Sequence, residues 1–77
     1  MKHFLDFVVR GLVDNPDDVQ ISETSATGET TYRVSLNPGD VGLVIGKGGR
    51  TISSIRSLIN TASRTGDHLA VEVVENP

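Results

Sequence analysis

Residues 41–50 read Val41-Gly42-Leu43-Val44-Ile45-Gly46-Lys47-Gly48-Gly49-Arg50 (VGLVIGKGGR), and the topology turns on whether this stretch is strand or helix. Its first half is apolar enough for a buried strand, while the spacing of Val41, Val44 and Ile45 suits one or two turns of helix. Composition leaves both open. The second half sets Gly46, Gly48 and Gly49 around Lys47. Glycine takes up left-handed backbone without steric cost and lets main-chain amides approach another group with no Cβ between them. The stretch is therefore a turn with one positive charge at its tip.

Outward from the glycines the pattern is firmer. Ile52, Ile55, Leu58, Ile59 and Ala62 recur at helical spacing, which predicts a helix burying that stripe. Ser53, Arg56, Ser57, Asn60 and Arg64 lie opposite, and Gly66 supplies the stop. Upstream, Asn37-Pro38-Gly39-Asp40 is a turn with Asp40 placed as an N-cap. Before it, Val19-Gln20-Ile21-Ser22-Glu23 and Thr31-Tyr32-Arg33-Val34-Ser35-Leu36 alternate as half-buried strands around a polar loop, residues 24–29, an antiparallel hairpin. Residues 2–13 carry Phe4, Leu5, Val8, Val9 and Leu12 on one helical stripe, widened by Phe7 and Val13. Asn15-Pro16 ends that helix, and Asp17-Asp18 serve as a turn. Leu69, Val71 and Val73 alternate with Ala70, Glu72 and Val74 in a last strand. The order is helix, strand, strand, helix or strand, helix, strand.

A chain of 77 residues has room for one core, so residues 1–77 form a single domain. Such a core supplies only about 3–5 kcal/mol, which makes a partner or a homodimer a reasonable supplement. The chain has no cysteine, which removes disulfides, thiolate metal sites and cysteine nucleophiles. No apolar run approaches the roughly 20 residues that cross a bilayer. Asp6 and Arg10 interrupt what would be the apolar core of a signal peptide. A soluble, cytoplasmic protein with no membrane partner is expected. The net charge of −3 argues at first against a nucleic-acid partner, but its distribution is uneven. Residues 41–66 hold Lys47, Arg50, Arg56 and Arg64 and no acid, whereas the remainder sets Lys2, Arg10 and Arg33 against ten acids.

Spacing sorts the uses of a glycine turn. A P-loop requires G-x-x-x-x-G-K-[ST], but only three residues separate Gly42 from Gly46, and Gly48 follows Lys47 where a hydroxyl should bind Mg²⁺. A dinucleotide fingerprint requires a third glycine in register and a downstream acid, and residues 46–51 have neither. A helix corner needing positive φ would accept Gly46 or Gly49 alone. Ile45-Gly46-Lys47-Gly48-Gly49 does fit I-G-x-x-G, the loop that in KH domains joins two helices and clamps about four single-stranded nucleotides.

Two longer segments extend the likeness across almost the whole chain. Residues 12–19 (LVDNPDDV) and 40–56 (DVGLVIGKGGRTISSIR) closely resemble the small bacterial single-KH RNA-binding proteins of the KhpA type. The resemblance implies an α+β type II KH fold, α-β-β-α-α-β, with a three-stranded mixed sheet and three helices packed on one face. It makes residues 40–45 a short helix and the last strand, 68–75, parallel to the second. It also implies that single-stranded RNA lies in a groove between the glycine-linked helices and the facing sheet edge. Backbone amides around Gly46, Lys47, Gly48, Gly49 and Arg50 would hold phosphates, Lys47 and Arg50 would add charge, and Arg56 is a further candidate contact. Val44, Ile45 and Ile52 would offer an apolar floor, and Ile55, Leu58, Ile59 and Ala62 would belong to the core.

With only Phe4, Phe7 and Tyr32 aromatic, and none near the loop, stacking on rings is not a main source of affinity. Two to four neutralised phosphates on a single strand give a log–log salt slope of only about −1.5 to −3. Weak, sequence-tolerant binding is expected, as of a post-transcriptional regulator or RNA chaperone. His3 and His68 lie far apart, and no metal-ligand spacing occurs, so neither an enzyme nor a cofactor is expected. The rival reading is a protein-interaction module that acts by dimerising or by pairing with the larger KH-containing partner, the KhpB type, with which such relatives are associated.

Overall fold

The computed structural model describes residues 1–63 and 66–77. Arg64, one of the four cations of the basic segment, lies outside the described residues. Helix α1 spans Lys2–Leu12, and strands β1, Gln20–Ala26, and β2, Glu29–Leu36, follow it. Helices α2, Val41–Ile45, and α3, Arg50–Ala62, flank the glycine turn, and strand β3, His68–Glu75, closes the fold. Single 3-10 turns sit at Pro16–Asp18, Pro38–Asp40 and Lys47–Gly49. This is the α-β-β-α-α-β order of the type II KH fold.

Strand β2 is central. It pairs antiparallel with β1, from Gln20↔Ser35 to Ala26↔Glu29, and parallel with β3, from Glu29↔His68 to Leu36↔Glu75. Thr30, Tyr32, Val34 and Leu36 are buried while Glu29, Thr31, Arg33 and Ser35 are not, so the helices cover one face and the other is open. The open face is polar; an Arg33–Glu72 ion pair at 3.4 Å crosses it. Against the covered face pack Leu5 and Val9 of α1, Val44 of α2, and Ile52, Ile55 and Ile59 of α3, with Leu69 and Val71 of β3. Each such side chain contributes about 1.5–3 kcal/mol when fully buried.

The ambiguous segment is helical. Val44 is buried and Val41 and Ile45 are half-buried, whereas Gly42 and Leu43 face out. That is i, i+3, i+4 burial, which a strand of period two cannot give. Before it, the Asn37 Oδ1 accepts from the Gly39 N–H at 2.9 Å, and its Nδ2 donates to Asp18 at 3.0 Å.

Several expectations are corrected. The hairpin loop is shorter than residues 24–29: Thr24, Ser25 and Ala26 are strand, and only Thr27 and Gly28 connect, with Gly28 at φ 75°. Small hydroxyl residues looked like a loop, but pairing along the longer β2 draws them into the ladder. The α3 core stripe is narrower than Ile55, Leu58, Ile59 and Ala62, since Leu58 is 48% exposed and Ala62 is exposed. At about 100° per residue, Leu58 stands off the Ile52–Ile55–Ile59 line, and Ala62 ends the helix. In α1, Phe7 is 78% exposed because it lies about 200° around the helix from Leu5. Gly66, at φ 81°, is not the residue that stops α3, which ends at Ala62 with Ser63 extended.

Candidate functional site

Helix α2 ends on Gly46, whose N–H donates to the Gly42 carbonyl at 2.9 Å. Gly46 adopts φ 76°, ψ 171°, a region essentially restricted to glycine. A Cβ there would lie 2.2 Å from Thr51 Oγ1, 2.7 Å from Thr51 Cβ and 2.9 Å from the Thr51 backbone nitrogen. Conformation and space exclude a side chain independently. Gly48 (φ 66°, ψ 17°) and Gly49 (φ 77°, ψ 14°) are left-handed, with open space where a Cβ would be. The motif thus holds two kinds of glycine, one packed and two turned.

The turn uses some of its own donors. The Gly49 N–H bonds to the Gly46 carbonyl at 3.1 Å, and the Arg50 N–H bonds to Lys47 O. The amides of Lys47 and Gly48 are left with no acceptor among the described residues. The Lys47 and Arg50 side chains are exposed and have no hydrogen-bond or ion-pair partner among the described residues. The positive end of the 13-residue α3 adds to this field. Two free amides and two free cations together suit an anion, and the unoccupied Cβ space at Gly48 and Gly49 lets it approach the backbone.

The other expected residues divide. Val44 and Ile52 are buried at 0% and 4% exposure and belong to the core, whereas Ile45, next to the turn, is half-buried. Arg56 is engaged: its guanidinium donates to the Val71 carbonyl at 3.0 Å, on the outer edge of β3. One turn further along, the Asn60 amide bonds both backbone groups of Leu69, accepting from N–H at 2.9 Å and donating to O at 2.8 Å. Sequence reading left Asn60 on the polar face of the helix; only the fold brings Leu69 to it.

Asp40 stands at the start of α2 but does not cap it. Its carboxylate, 1% exposed, accepts from the Asp14 N–H at 3.3 Å, the Asn15 N–H at 3.0 Å and Asn15 Nδ2 at 3.1 Å. The two segments that carry the family resemblance, 12–19 and 40–56, therefore meet at this side chain, which anchors the helix leading into the glycine turn. Arg10 secures the other side of the same corner, pairing with Asp6 at 2.9 Å and donating to Pro16 O at 2.7 Å. Away from the loop, burial and, secondarily, the Glu23 carboxylate opposite it raise the Tyr32 phenol above its ordinary pKa of 10.0.

The family model described as KhpA/KhpB, KH domain, matches residues 2–74. A Chlamydia trachomatis protein named RNA-binding protein KhpA is 41% identical over 76 residues, covering 97% of each chain. Proteins of the same name from Thermotoga maritima (36% identity, 96% of this chain and 99% of that one) and Mycobacterium leprae (42%, 92% and 86%) are similarly close. No solved structure matches the chain.

Proposed function

The chain belongs to the KhpA/KhpB KH-domain family, and on that premise we propose that it binds single-stranded RNA by holding the sugar–phosphate backbone at the Gly46–Gly49 turn. The observation that carries the reading is the convergence, on one exposed turn, of the unpaired Lys47 and Gly48 amides with the unpaired Lys47 and Arg50 side chains. Phosphate oxygens accept from the amides, and the cations displace counterions. Gly46 and Gly49 shape the turn, and Ile45 is the apolar surface beside it. Such contacts read no base, so binding is sequence-tolerant and of modest strength. This is a binding role without a reaction, suited to a post-transcriptional regulator or RNA chaperone in the cytoplasm.

A second reading rests on the exposed apolar side chains Phe4, Phe7, Leu43 and Leu58, which suit self-association or pairing with a KhpB-type partner. Gel shift or crosslinking with single-stranded RNA, beside sedimentation, separates the two. RNA bound by the monomer supports the clamp; a dimer silent toward RNA supports the interaction module. Replacing both Lys47 and Gly48 by Asp abolishes RNA binding on the first reading, with circular dichroism reporting that the variant is folded.

A further inference from the structure

Backbone groups of a strand point alternately to its two sides. In β3 the His68 N–H bonds to Gly28 O at 3.0 Å and the Asn76 N–H to Leu36 O at 2.7 Å, so even-numbered residues there face β2 and odd-numbered ones face outward. Leu69, Val71 and Val73 thus form the free edge of the sheet. At Leu69 the Asn60 amide takes both the N–H and the C=O, as a residue of a neighbouring strand would. Its second amide proton goes to the Arg56 carbonyl at 2.9 Å, so Asn60 is locked in that rotamer and fully satisfied. Arg56 then takes the next outward carbonyl, that of Val71. Between these contacts the Val71 N–H, and beyond them both backbone groups of Val73, have no partner among the described residues.

The spacing gives the arrangement direction. Moving back four residues on α3, from Asn60 to Arg56, covers about 6 Å. Moving forward two residues on β3, from Leu69 to Val71, covers about 6.7 Å. Continuing that register sets Val73 opposite the turn of α3 at Ile52, next to Lys47 and Arg50. The open edge begins beside the phosphate-holding turn and the closed edge lies beyond it.

We propose that Asn60 and Arg56 are positioning residues: a side-chain clasp that seals the outer edge of β3 at Leu69 and Val71 and confines a bound single strand to the short edge segment next to the glycine turn. In this arrangement Arg56 donates to the Val71 carbonyl of the sheet and not to a phosphate. The clasp sets the length of the site, because a strand held at Arg50, the first residue of α3, runs only about 9 Å along the helix before it meets Arg56. This rests on the proposed RNA clamp.

The test uses uridine oligonucleotides of increasing length against the full chain and the variants Asn60→Ala and Arg56→Ala, with amide hydrogen exchange on the free proteins. In the unsubstituted protein, Leu69 exchanges more slowly than Val73, and affinity stops rising at about four nucleotides. Asn60→Ala brings the Leu69 exchange rate to that of Val73 and moves the plateau to longer oligonucleotides. Arg56→Ala also moves the plateau while leaving the salt slope unchanged, which a lost phosphate contact would not do. Leu69 exchanging as fast as Val73 before substitution overturns the clasp, as does a plateau that neither variant moves. An unsubstituted protein that binds no oligonucleotide overturns the RNA clamp itself, a distinct result.

Discussion

Alanine placed in turn at Gly46, Gly48 and Gly49 tests the loop geometry through stability alone. At Gly48 and Gly49 the new Cβ meets open space, so only left-handed backbone strain is added, about 1–2 kcal/mol each. At Gly46 the strain of φ 76°, ψ 171° is about 1–3 kcal/mol, and overlap with Thr51 comes on top of it. Rotating the Thr51 side chain relieves the 2.2 Å contact with Oγ1 but not the 2.9 Å approach to its backbone nitrogen, so the start of α3 has to shift. Forced displacements of this sort cost about 1–3 kcal/mol, giving a total of about 2–6 kcal/mol. A single core of this size supplies only about 3–5 kcal/mol in all. Urea unfolding followed by circular dichroism should therefore rank Gly46→Ala well below the other two. In thermal melts each kcal/mol lost lowers Tm by about 4–8 °C. Equal losses at all three positions, or Gly46→Ala within 1 kcal/mol of the unsubstituted protein, would refute the packed role of Gly46.

Asp40→Ala strips three donors of a shared acceptor; urea titration should show a loss of about 2–4 kcal/mol, with Asp40→Asn intermediate because one oxygen remains to accept. Tyr32, the sole tyrosine, can be followed by near-ultraviolet absorbance, and its phenol should ionise above the ordinary range in the folded protein. Below pH 10 both states keep that proton and Tyr32 adds no pH dependence. Above about pH 10 the unfolded chain loses it first, so stability falls until the folded phenol ionises too, and Tyr32→Phe should flatten that fall. Glu23→Gln should move the folded ionisation back down by part of the shift, since the carboxylate is the smaller of its two causes.

Most of the fold was legible because hydrophobic period and turn chemistry agreed along the chain. The stripes placed Leu5, Val9, Ile52, Ile55 and Ile59 correctly, and proline and glycine marked the corners. Stripe width was not legible: how far round a helix burial extends depends on what it packs against, so Phe7 and Leu58 looked like core and are not. The helical state of residues 41–45 could be read only through the family resemblance, since five residues carry too few periods to decide. At the site, the glycines and Lys47 were visible as a motif. Asn60, Arg56 and Asp40 were not assignable from sequence, because their partners Leu69, Val71 and Asn15 lie 9 to 25 residues away and only the tertiary fold brings them near.

If the Gly46–Gly49 turn holds RNA backbone with the Lys47 and Arg50 cations, the salt dependence of binding reports how many charges take part. With Lys47 and Arg50 each neutralising one phosphate, log affinity for single-stranded RNA should fall against log salt with a slope near about −1.4, and Lys47→Ala should reduce it to about −0.7. A slope near zero, or one that Lys47→Ala leaves unchanged, would show that these cations do not hold the RNA backbone.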